Sequence, residues 1–455
     1  MEYFVGLVIT ILTLFVFNNF KKRRKNEEES NKDIDFDWTP DPLVDETKLK
    51  PNSVPETRSL IVNSKVGKWV EIDGRKMLNF ASNNYLGFIE NEYIIEEAKR
   101  SIFKYGVGSC GPRGFYGTVD VHLDLESRLC KFMNMESAIV YSYGFSTIAS
   151  AIPAYAKKQD VIFADERVNF AIQRGIEASR STVFYFKHND FRHLESLIKS
   201  WDDSHQDKKS NSKIRKFLIV EGIYINSGKI CPLPEMIEIR KKYQLRIFID
   251  ESISFGVLGK TGRGILEHFN IDNDDVDMIM ASMEYALGTG GGFCVGSTFI
   301  VEHQRLAGLG YCFSASLPPF LAVAARAGID VLDEEKDLTD RLSNRCNQLH
   351  DALSSSPVLK IYFDIESDAA SPIKHLFLKE PFQLDSYDKE MSLLNEITFY
   401  CNNRQILITT AHYLVDKEYK PPRASIRLTV SVTTNSEDIS KLISTLEEAA
   451  NEIFT

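Results

Sequence analysis

Short runs of apolar and β-branched residues recur along the chain, with stretches of helical length between several of them. Continuous apolar runs of this kind are typical of strands that are buried on both faces, as in a parallel sheet with crossover helices. The pattern therefore predicts an α/β fold with a large, mostly parallel sheet of seven strands. The expected strands are Ala138–Tyr143, Val161–Ala164, Val183–Phe186, Phe217–Val220, Ile247–Ile249, Met278–Ala281 and Gly292–Gly296. Only about ten residues separate the last two runs, too few for a helical crossover, so the last strand is expected to be antiparallel.

A long helical segment begins after Pro318 and introduces a second region with a different pattern. This region mixes helical stretches with short apolar runs and ends in an amphipathic helix from Ser436. The predicted organisation is an N-terminal arm and large domain over residues 56–317, followed by a small α+β domain over residues 318–455. The expected strands of the small domain are Ile361–Phe363, Leu376–Leu378, Ile406–Thr409 and Ile426–Val430.

The first residues of the chain have the pattern of a membrane anchor. Tyr3–Phe20 carries no charge and is mostly apolar, and as a helix it would span about 27 Å, close to the hydrocarbon thickness of an ER bilayer. The basic run Lys21–Lys25 follows at once, which places the rest of the chain in the cytosol. We predict a transmembrane helix over residues 1–20, a single-pass protein of the endoplasmic reticulum membrane, and a basic flank with an acidic, proline-containing tether over residues 21–55. The alternative is a buried N-terminal helix.

Composition and charge exclude several classes of protein. The 455 residues are 43% hydrophobic and 26% charged, values that are ordinary for a globular protein. The net charge of -10 argues against a nucleic-acid partner. The seven cysteines are scattered singly, so neither a disulfide scaffold nor a metal site is predicted. The polar stretch Ser200–Lys216 is expected to be a solvated loop and not a functional basic patch.

Three places carry residues that suit ligand chemistry. Gly144 and Phe145 follow a predicted strand and open a helix, where free amides can hold a phosphate group, although many such turns are only turns. Five glycines lie within Gly106–Gly117, which indicates a close approach of the backbone to another group or, alternatively, a structural loop. Asp250 ends a buried strand, where doubly wound sheets place ligand groups, although it could equally be a structural carboxylate.

Several motifs resemble those of a known enzyme family, in the family's order. They are Asn79–Gly87 (NFASNNYLG), the block GSCGPRGFYGT from Gly108, the segment Asp250–Gly259 and the segment Tyr311–Pro319. The chain resembles the α-oxoamine synthases, which are pyridoxal-phosphate enzymes of fold type I, from about residue 38 to residue 455. Within that family, the sequences of these motifs are similar to those of the first subunits of the serine palmitoyltransferase branch.

The resemblance implies a decarboxylating condensation of an amino acid with an acyl-CoA. In the serine palmitoyltransferase branch the substrates are L-serine and palmitoyl-CoA, and the product, 3-oxosphinganine, begins sphingolipid biosynthesis. The family binds pyridoxal phosphate to a lysine, pairs the pyridinium nitrogen with an aspartate and stacks a histidine on the ring. This implies that Asp250 corresponds to the aspartate, and that Gly144 and Phe145 lie at the phosphate.

The match fails at the residues that matter most for this chemistry. Tyr285 stands at the family's lysine position, and Asn169 stands at the position of the stacking histidine. A tyrosine cannot form an imine, and no lysine occurs between Lys260 and Lys336. No catalytic residue is therefore expected in this chain, and its cofactor contacts at Asp250, Gly144 and Phe145 are expected to be vestigial.

The resemblance implies a subunit that supports a catalytic partner. In the family's dimers each active site lies at the interface, so we expect pairing with a lysine-bearing second subunit that binds pyridoxal phosphate covalently, with small accessory membrane subunits as further candidates. The residues expected to reach the partner's site are Ser109, Cys110, Arg113, Ser314 and Ser316. For Cys110 the alternative is a small buried hydrophobe. Two other readings stay open: a membrane-anchored regulatory protein without catalysis, and a self-sufficient enzyme that uses another lysine.

Overall fold

A computed structural model describes residues 13–25, 39–43, 60–205 and 214–454 of the chain. Its strands, in chain order, are β1 (Trp69–Ile72), β2 (Arg75–Asn79), β3 (Ser137–Tyr141), β4 (Val161–Asp165), β5 (Thr182–Phe186), β6 (Lys216–Glu221), β7 (Arg246–Asp250), β8 (Met278–Ser282), β9 (Gly292–Gly296), β10 (Phe363–Ile365), β11 (Ile373–Leu378), β12 (Ile406–Leu407), β13 (Thr409–Thr410) and β14 (Ser425–Thr429).

Helices connect these strands and cover the sheets. They are α1 (residues 13–25), α2 (Glu92–Tyr105), α3 (Asp120–Met133), α4 (Gly144–Tyr155), α5 (Phe170–Ser179), α6 (Phe191–His205), α7 (Leu233–Tyr243), α8 (Ile265–Phe269), α9 (Thr298–Ala307), α10 (Leu309–Cys312), α11 (Pro319–Glu334), α12 (Leu338–Ser355), α13 (Leu359–Tyr362), α14 (Tyr387–Asn403) and α15 (Ser436–Phe454). The predicted helices after Pro318 and from Ser436 are confirmed as α11 and α15.

The large sheet has the seven predicted strands in the order β3-β9-β8-β7-β6-β4-β5. The pairs among β4 to β8 are parallel, whereas β9 is antiparallel to both β8 and β3, as the short connection before it requires. Every residue of β4, β8 and β9 is buried, because helices cover both faces of the sheet. The carboxyl ends of β4, β6 and β7 therefore lie side by side at one edge, where ligand groups of such folds collect.

Two smaller sheets complete the part of the chain that the structure describes from residue 60 onward. A four-stranded antiparallel sheet has the order β10-β11-β14-β13, and a three-stranded sheet has the order β1-β2-β12. The predicted strand Ile406–Thr409 divides between them, because β12 pairs with β2 while β13 pairs with β14.

The predicted strand Ile361–Phe363 is wrong at its start. Leu359 and Tyr362, three positions apart, are buried while Ile361 between them is exposed, which is the spacing of a helical turn. The helix α13 therefore covers residues up to Tyr362, and the strand β10 begins only at Phe363.

The predicted loop Ser200–Lys216 is wrong at both of its ends. Residues up to His205 continue α6, since Trp201 packs against the core and stacks on His205 with ring centroids 4.4 Å apart. Lys216 is the first residue of β6. The middle of the stretch, residues 206–213, lies outside the described residues.

The chain divides into two compact units, Met1–Leu60 and Ile61–Thr455. The predicted boundary at residue 317 falls within the second unit and stays a prediction. In the first unit residues 13–25 are helical, whereas residues 1–12 of the predicted anchor lie outside the described residues. No helix among the described residues is long and apolar enough to span a membrane.

Candidate active site

A cavity of about 270 Å³ lies at the carboxyl edge of the large sheet. It is bordered by the ends of β6, β7 and β8 and by the start of α4 and α5, and residues from the β11–β14 sheet and the segment between β13 and β14 close it. The lining residues that matter for its chemistry are Gly144, Phe145, Asn169, Glu221, Asp250, Ser252, Ser282, Glu284, Tyr285, His375, His412, Tyr413, Glu418 and Arg427.

Two carboxyl groups form the inner wall of this cavity. Glu221 and Asp250 lie opposite each other in the register of β6 and β7, and each is only 1% exposed. Burial raises the pKa of both carboxyl groups, and the neighbouring Asp250 raises that of Glu221 further. Because two adjacent buried carboxylates repel each other, the pair favours holding a proton.

Asn169 joins these carboxyl groups to the start of α5. Its side-chain oxygen accepts from the amide of Ile172 at 3.1 Å, which caps the helix. Its side-chain nitrogen donates to Oδ2 of Asp250 at 2.7 Å, and its main-chain nitrogen donates to Oε1 of Glu221 at 2.6 Å. Asn169 is thus hydrogen-bonded to three elements at once.

Tyr285 follows β8 and lines the same cavity. Burial raises the pKa of its phenol to about 12, with a further contribution from the neighbouring Glu284. The phenol is therefore neutral at physiological pH and is not a base. None of the described residues that line the cavity is a lysine.

The start of α4 forms another side of the cavity. Gly144 packs so closely on Ser282 that a Cβ atom at this position would collide with the serine side chain. No side chain caps this helix, so its first amides are available to an anion. The ring of Phe145 lies beside that of Phe170, with centroids 6.0 Å apart.

Comparison with known proteins gives this site its context. The family described as aminotransferase class I and II matches residues 75–446. The chain is 42% identical to long chain base biosynthesis protein 1c of Oryza sativa subsp. japonica, over 98% of this chain and 90% of that protein. It is 40% identical to serine palmitoyltransferase 1 of Dictyostelium discoideum, over 98% of this chain and 93% of that protein. The chain belongs to the serine palmitoyltransferase family.

The fold agrees with this family, whose members are pyridoxal-phosphate-dependent acyltransferases. A serine palmitoyltransferase from S. paucimobilis, solved with a bound PLP–myriocin aldimine, superposes with a TM-score of 0.78. That structure is 22% identical in sequence, and the match covers 90% of this chain and 96% of the other. The large sheet and its helices are therefore the fold type I architecture expected from the sequence.

The cavity of this serine palmitoyltransferase homologue fits only part of the family's cofactor. The free amides at the start of α4 suit a phosphate group. At the other end, Oδ1 and Oδ2 of Asp250 accept hydrogen bonds from the amide of Ser252 and the side chain of Asn169, at 2.9 and 2.7 Å, so a ring nitrogen would be an additional partner for this carboxyl group. A Schiff base also needs a primary amine, and the lining offers none. The residues present therefore do not fit covalently bound pyridoxal phosphate.

The glycine loop, defined as Gly106–Gly117, lies outside the cavity lining. The hydroxyl of Ser109 donates to the carbonyl of Ser316 at 2.8 Å, and the amide of Ser316 donates to the carbonyl of Gly111 at 3.0 Å. The hydroxyl of Ser316 also donates to the carbonyl of Gly117. The glycine loop and the turn Phe313–Ser316 are therefore joined by hydrogen bonds.

The other residues predicted to contact a partner's site differ in their exposure and in their hydrogen bonds within this chain. Cys110 is exposed, so the alternative of a buried hydrophobe is wrong. Arg113 is buried and pairs with Glu126, and the hydroxyl of Ser314 donates to the carbonyl of Gly310. Whether any of these residues serves a partner's site stays a prediction.

Sequence reasoning missed the part of the cavity that comes from other regions of the chain. Glu221 ends a buried strand beside that of Asp250, so the same signal could have found it. His375 and Arg427 lie within strands of the second region and gave no local signal. Both ring nitrogens of His375 are hydrogen-bonded, to Ser425 and to the carbonyl of Ile225. Burial lowers the pKa of His375 to about 4, so its ring is neutral and structural.

Proposed function

We propose that this chain is the non-catalytic first subunit of a heteromeric serine palmitoyltransferase. The complex condenses L-serine with palmitoyl-CoA, with loss of CO₂, and gives 3-oxosphinganine for sphingolipid biosynthesis. A lysine-bearing second subunit binds pyridoxal phosphate covalently, and small accessory membrane subunits are further candidate partners. The observation that carries the proposal is Tyr285, which stands in the cavity at the position of the family's lysine.

Three features of the cavity favour a non-catalytic role for this chain over independent catalysis. The described lining has no lysine, the phenol of Tyr285 is neutral, and Asp250 already has a hydrogen-bond partner in Asn169. These features argue against a self-sufficient enzyme, because the family's chemistry begins with an imine on a lysine.

An exposed apolar surface supports the pairing with a second subunit. Phe115 and Tyr116 of the glycine loop are 66% and 100% exposed, and Phe313, just after α10, is 76% exposed. Helix α10 packs on the glycine loop, and the exposed Leu306 and Leu309 lie at the end of α9 and in α10. Exposed aromatic and aliphatic side chains on neighbouring elements are typical of a protein–protein interface.

The pairing gives the glycine loop a function that a scaffold would not need. The chemistry of pyridoxal phosphate, which stabilises an α-carbanion, belongs to the partner's site in this proposal. Here Ser109, Cys110 and the turn from Phe313 to Ser316 bound that site from outside and limit how closely a substrate approaches. The exposed thiol of Cys110 is the side chain best placed for this contact.

The membrane anchor is part of the same proposal. The uncharged span Tyr3–Phe20 and the basic run Lys21–Lys25 support a single pass through the endoplasmic reticulum membrane, with the remainder in the cytosol. Palmitoyl-CoA and the product are amphiphilic, so a site held near a bilayer suits both of them.

Co-expression tests the proposal directly. The full chain, the lysine-bearing homologue and the two together are purified and assayed for 3-oxosphinganine, and each is treated with borohydride to fix an imine. We expect robust activity only from the pair and cofactor trapped only on the partner chain. Turnover by this chain alone, or trapped cofactor on it, would contradict the proposal.

A further inference from the structure

Among the described residues, the buried carboxyl groups Glu221 and Asp250 form no direct ion pair with a lysine, arginine or histidine, although Arg427 lines the same cavity. Their oxygens accept from the neutral N–H groups of Asn169, Ile225 and Ser252, and the Ser252 side chain also hydrogen-bonds Asp250. A buried carboxyl group without such donors is strongly unfavourable, so these hydrogen bonds decide whether the pair is tolerated.

Asn169 supplies two of these donors, and one of them is its side-chain nitrogen, which lies 2.7 Å from Oδ2 of Asp250. The amides of Ser252 and Ile225 are fixed by the backbone, and any residue at those positions except proline would provide them. The side-chain nitrogen of Asn169 is different, because it depends on the identity of the residue. Its side-chain oxygen is used as the cap of α5, which fixes the amide orientation so that the nitrogen faces Asp250.

We infer that Asn169 is a positioning residue that gives Asp250, from within the chain, the hydrogen-bond donor that a cofactor's ring nitrogen would otherwise supply. The consequence is a cavity whose buried charges are satisfied by the polypeptide, and therefore a chain whose stability does not depend on the cofactor. The inference concerns the folding of this chain, so it holds or fails independently of any partner subunit.

Asn91 provides a matched control elsewhere in the fold. It caps α2 with the same geometry, accepting from the amide of Ile94 at 3.1 Å, but within the described residues its side chain donates to no carboxylate. Replacing either asparagine with serine keeps a good capping residue. Only Asn169→Ser also removes a donor from a buried carboxyl group.

Thermal unfolding of the full chain at pH 5.5 and pH 8 tests the inference. We expect Asn91→Ser to lower the melting temperature little and equally at both pH values. Asn169→Ser is expected to lower it by several degrees, because the buried Asp250 loses a side-chain donor. The other titratable groups around Asp250 remain unchanged in both variants. They are Glu221, Glu251, Tyr285 and Cys294 and, in the cavity lining, Glu284, His375, His412, Tyr413, Glu418 and Arg427.

The Asp250→Asn background and added cofactor complete the test. The Asp250→Asn background has no charge at position 250. In it, the loss of melting temperature caused by Asn169→Ser is expected to fall to the loss caused by Asn91→Ser. Excess pyridoxal phosphate should leave the melting temperature and visible absorbance of the wild-type chain unchanged. An equal deficit for the two serine variants, an undiminished deficit in the Asp250→Asn background, or stabilisation by the cofactor would each overturn the inference.

Discussion

Arg113 of the glycine loop and Glu126 of α3 form a buried, two-point ion pair. Nη1 and Nη2 of the arginine donate to Oε1 and Oε2 of the glutamate at 2.8 and 3.1 Å, and the side chains are 3% and 7% exposed. Glu126 also accepts from the amide of Val140 in β3 at 3.1 Å. The pair therefore fixes the glycine loop to a helix and to the large sheet.

Breaking this ion pair from one side should destabilise the fold strongly. Arg113→Met removes both short hydrogen bonds to the buried Glu126 and leaves it only the longer contact with Arg305, whose Nη2 lies 3.5 Å from Oε2, so we expect a loss of up to about 3–5 kcal/mol in the free energy of unfolding. The double variant Arg113→Met with Glu126→Gln should lose less, because the buried carboxylate is gone and Arg305 keeps its ion pair with Glu302. Denaturant unfolding measures both, with Arg100→Met, which removes an exposed pair with Glu97, as a control expected to change little. A double variant no more stable than the single one would contradict this account.

Restoring the lysine alone should not restore catalysis. In Tyr285→Lys the amine is present, but Asp250 remains hydrogen-bonded to Asn169 and the stacking group is still absent, and groups that act together do not recover singly. We expect the isolated variant to be as inactive as the wild-type chain and as the control Tyr285→Phe, in an assay for 3-oxosphinganine. Turnover within about tenfold of the heteromer would show that one residue accounts for the loss.

A bulky residue at position 110 should affect rate without affecting assembly. Cys110 is exposed, so a tryptophan in its place needs no repacking within this chain. If the loop bounds the partner's site, Cys110→Trp displaces it, and a shift of about 1 Å can lower a rate about a hundredfold. The measurement is specific activity per mole of intact heteromer, with Cys110→Ser as the size-matched control. Unchanged specific activity would defeat the assignment.

Deleting residues 1–25 should release the chain from membranes when it is expressed without a partner. The deletion removes the uncharged span and its basic flank. Fractionation with an alkaline wash, with the full chain in parallel, measures retention. A truncated chain that still sediments with membranes would locate the attachment elsewhere.

Stability should fall as pH rises through neutrality, because of Glu251. This buried carboxyl group accepts from the amide of Ile265 and from Ser254, and burial raises its pKa from 4.5 to about 7. Because the pKa is higher in the folded state, the contribution of Glu251 to the free energy of unfolding is complete below about pH 4.5 and is lost as the pH rises through about 7. The contribution is about 3 kcal/mol. We expect Glu251→Gln to flatten the dependence of unfolding on pH between 5 and 8, whereas the exposed Glu238→Gln leaves it unchanged.

The sequence predicted the large sheet well because its signal is local. Each strand is a short apolar run. The short connection before the run Gly292–Gly296 also predicted that this strand is antiparallel, which is confirmed. The strand Ile361–Phe363 was misjudged because the apolar spacing of a single helical turn and that of a short strand look alike over three residues. The hydrogen bond from Asn169 to Asp250 could not be predicted, since it joins the start of α5 to the end of β7, and only the folded sheet sets the distance between them.

The small sheet that joins β2 to β12 has a consequence for the order of biosynthesis. Leu78 pairs with Ile406, so the third strand of this sheet leaves the ribosome only after most of the chain has been translated. Until then β2 has one partner, β1, and its other edge is open to mispairing with a nascent neighbour. The last hundred residues thus complete a structure that the first hundred begin, and a chain terminated early would emerge with its aggregation-prone edge uncovered.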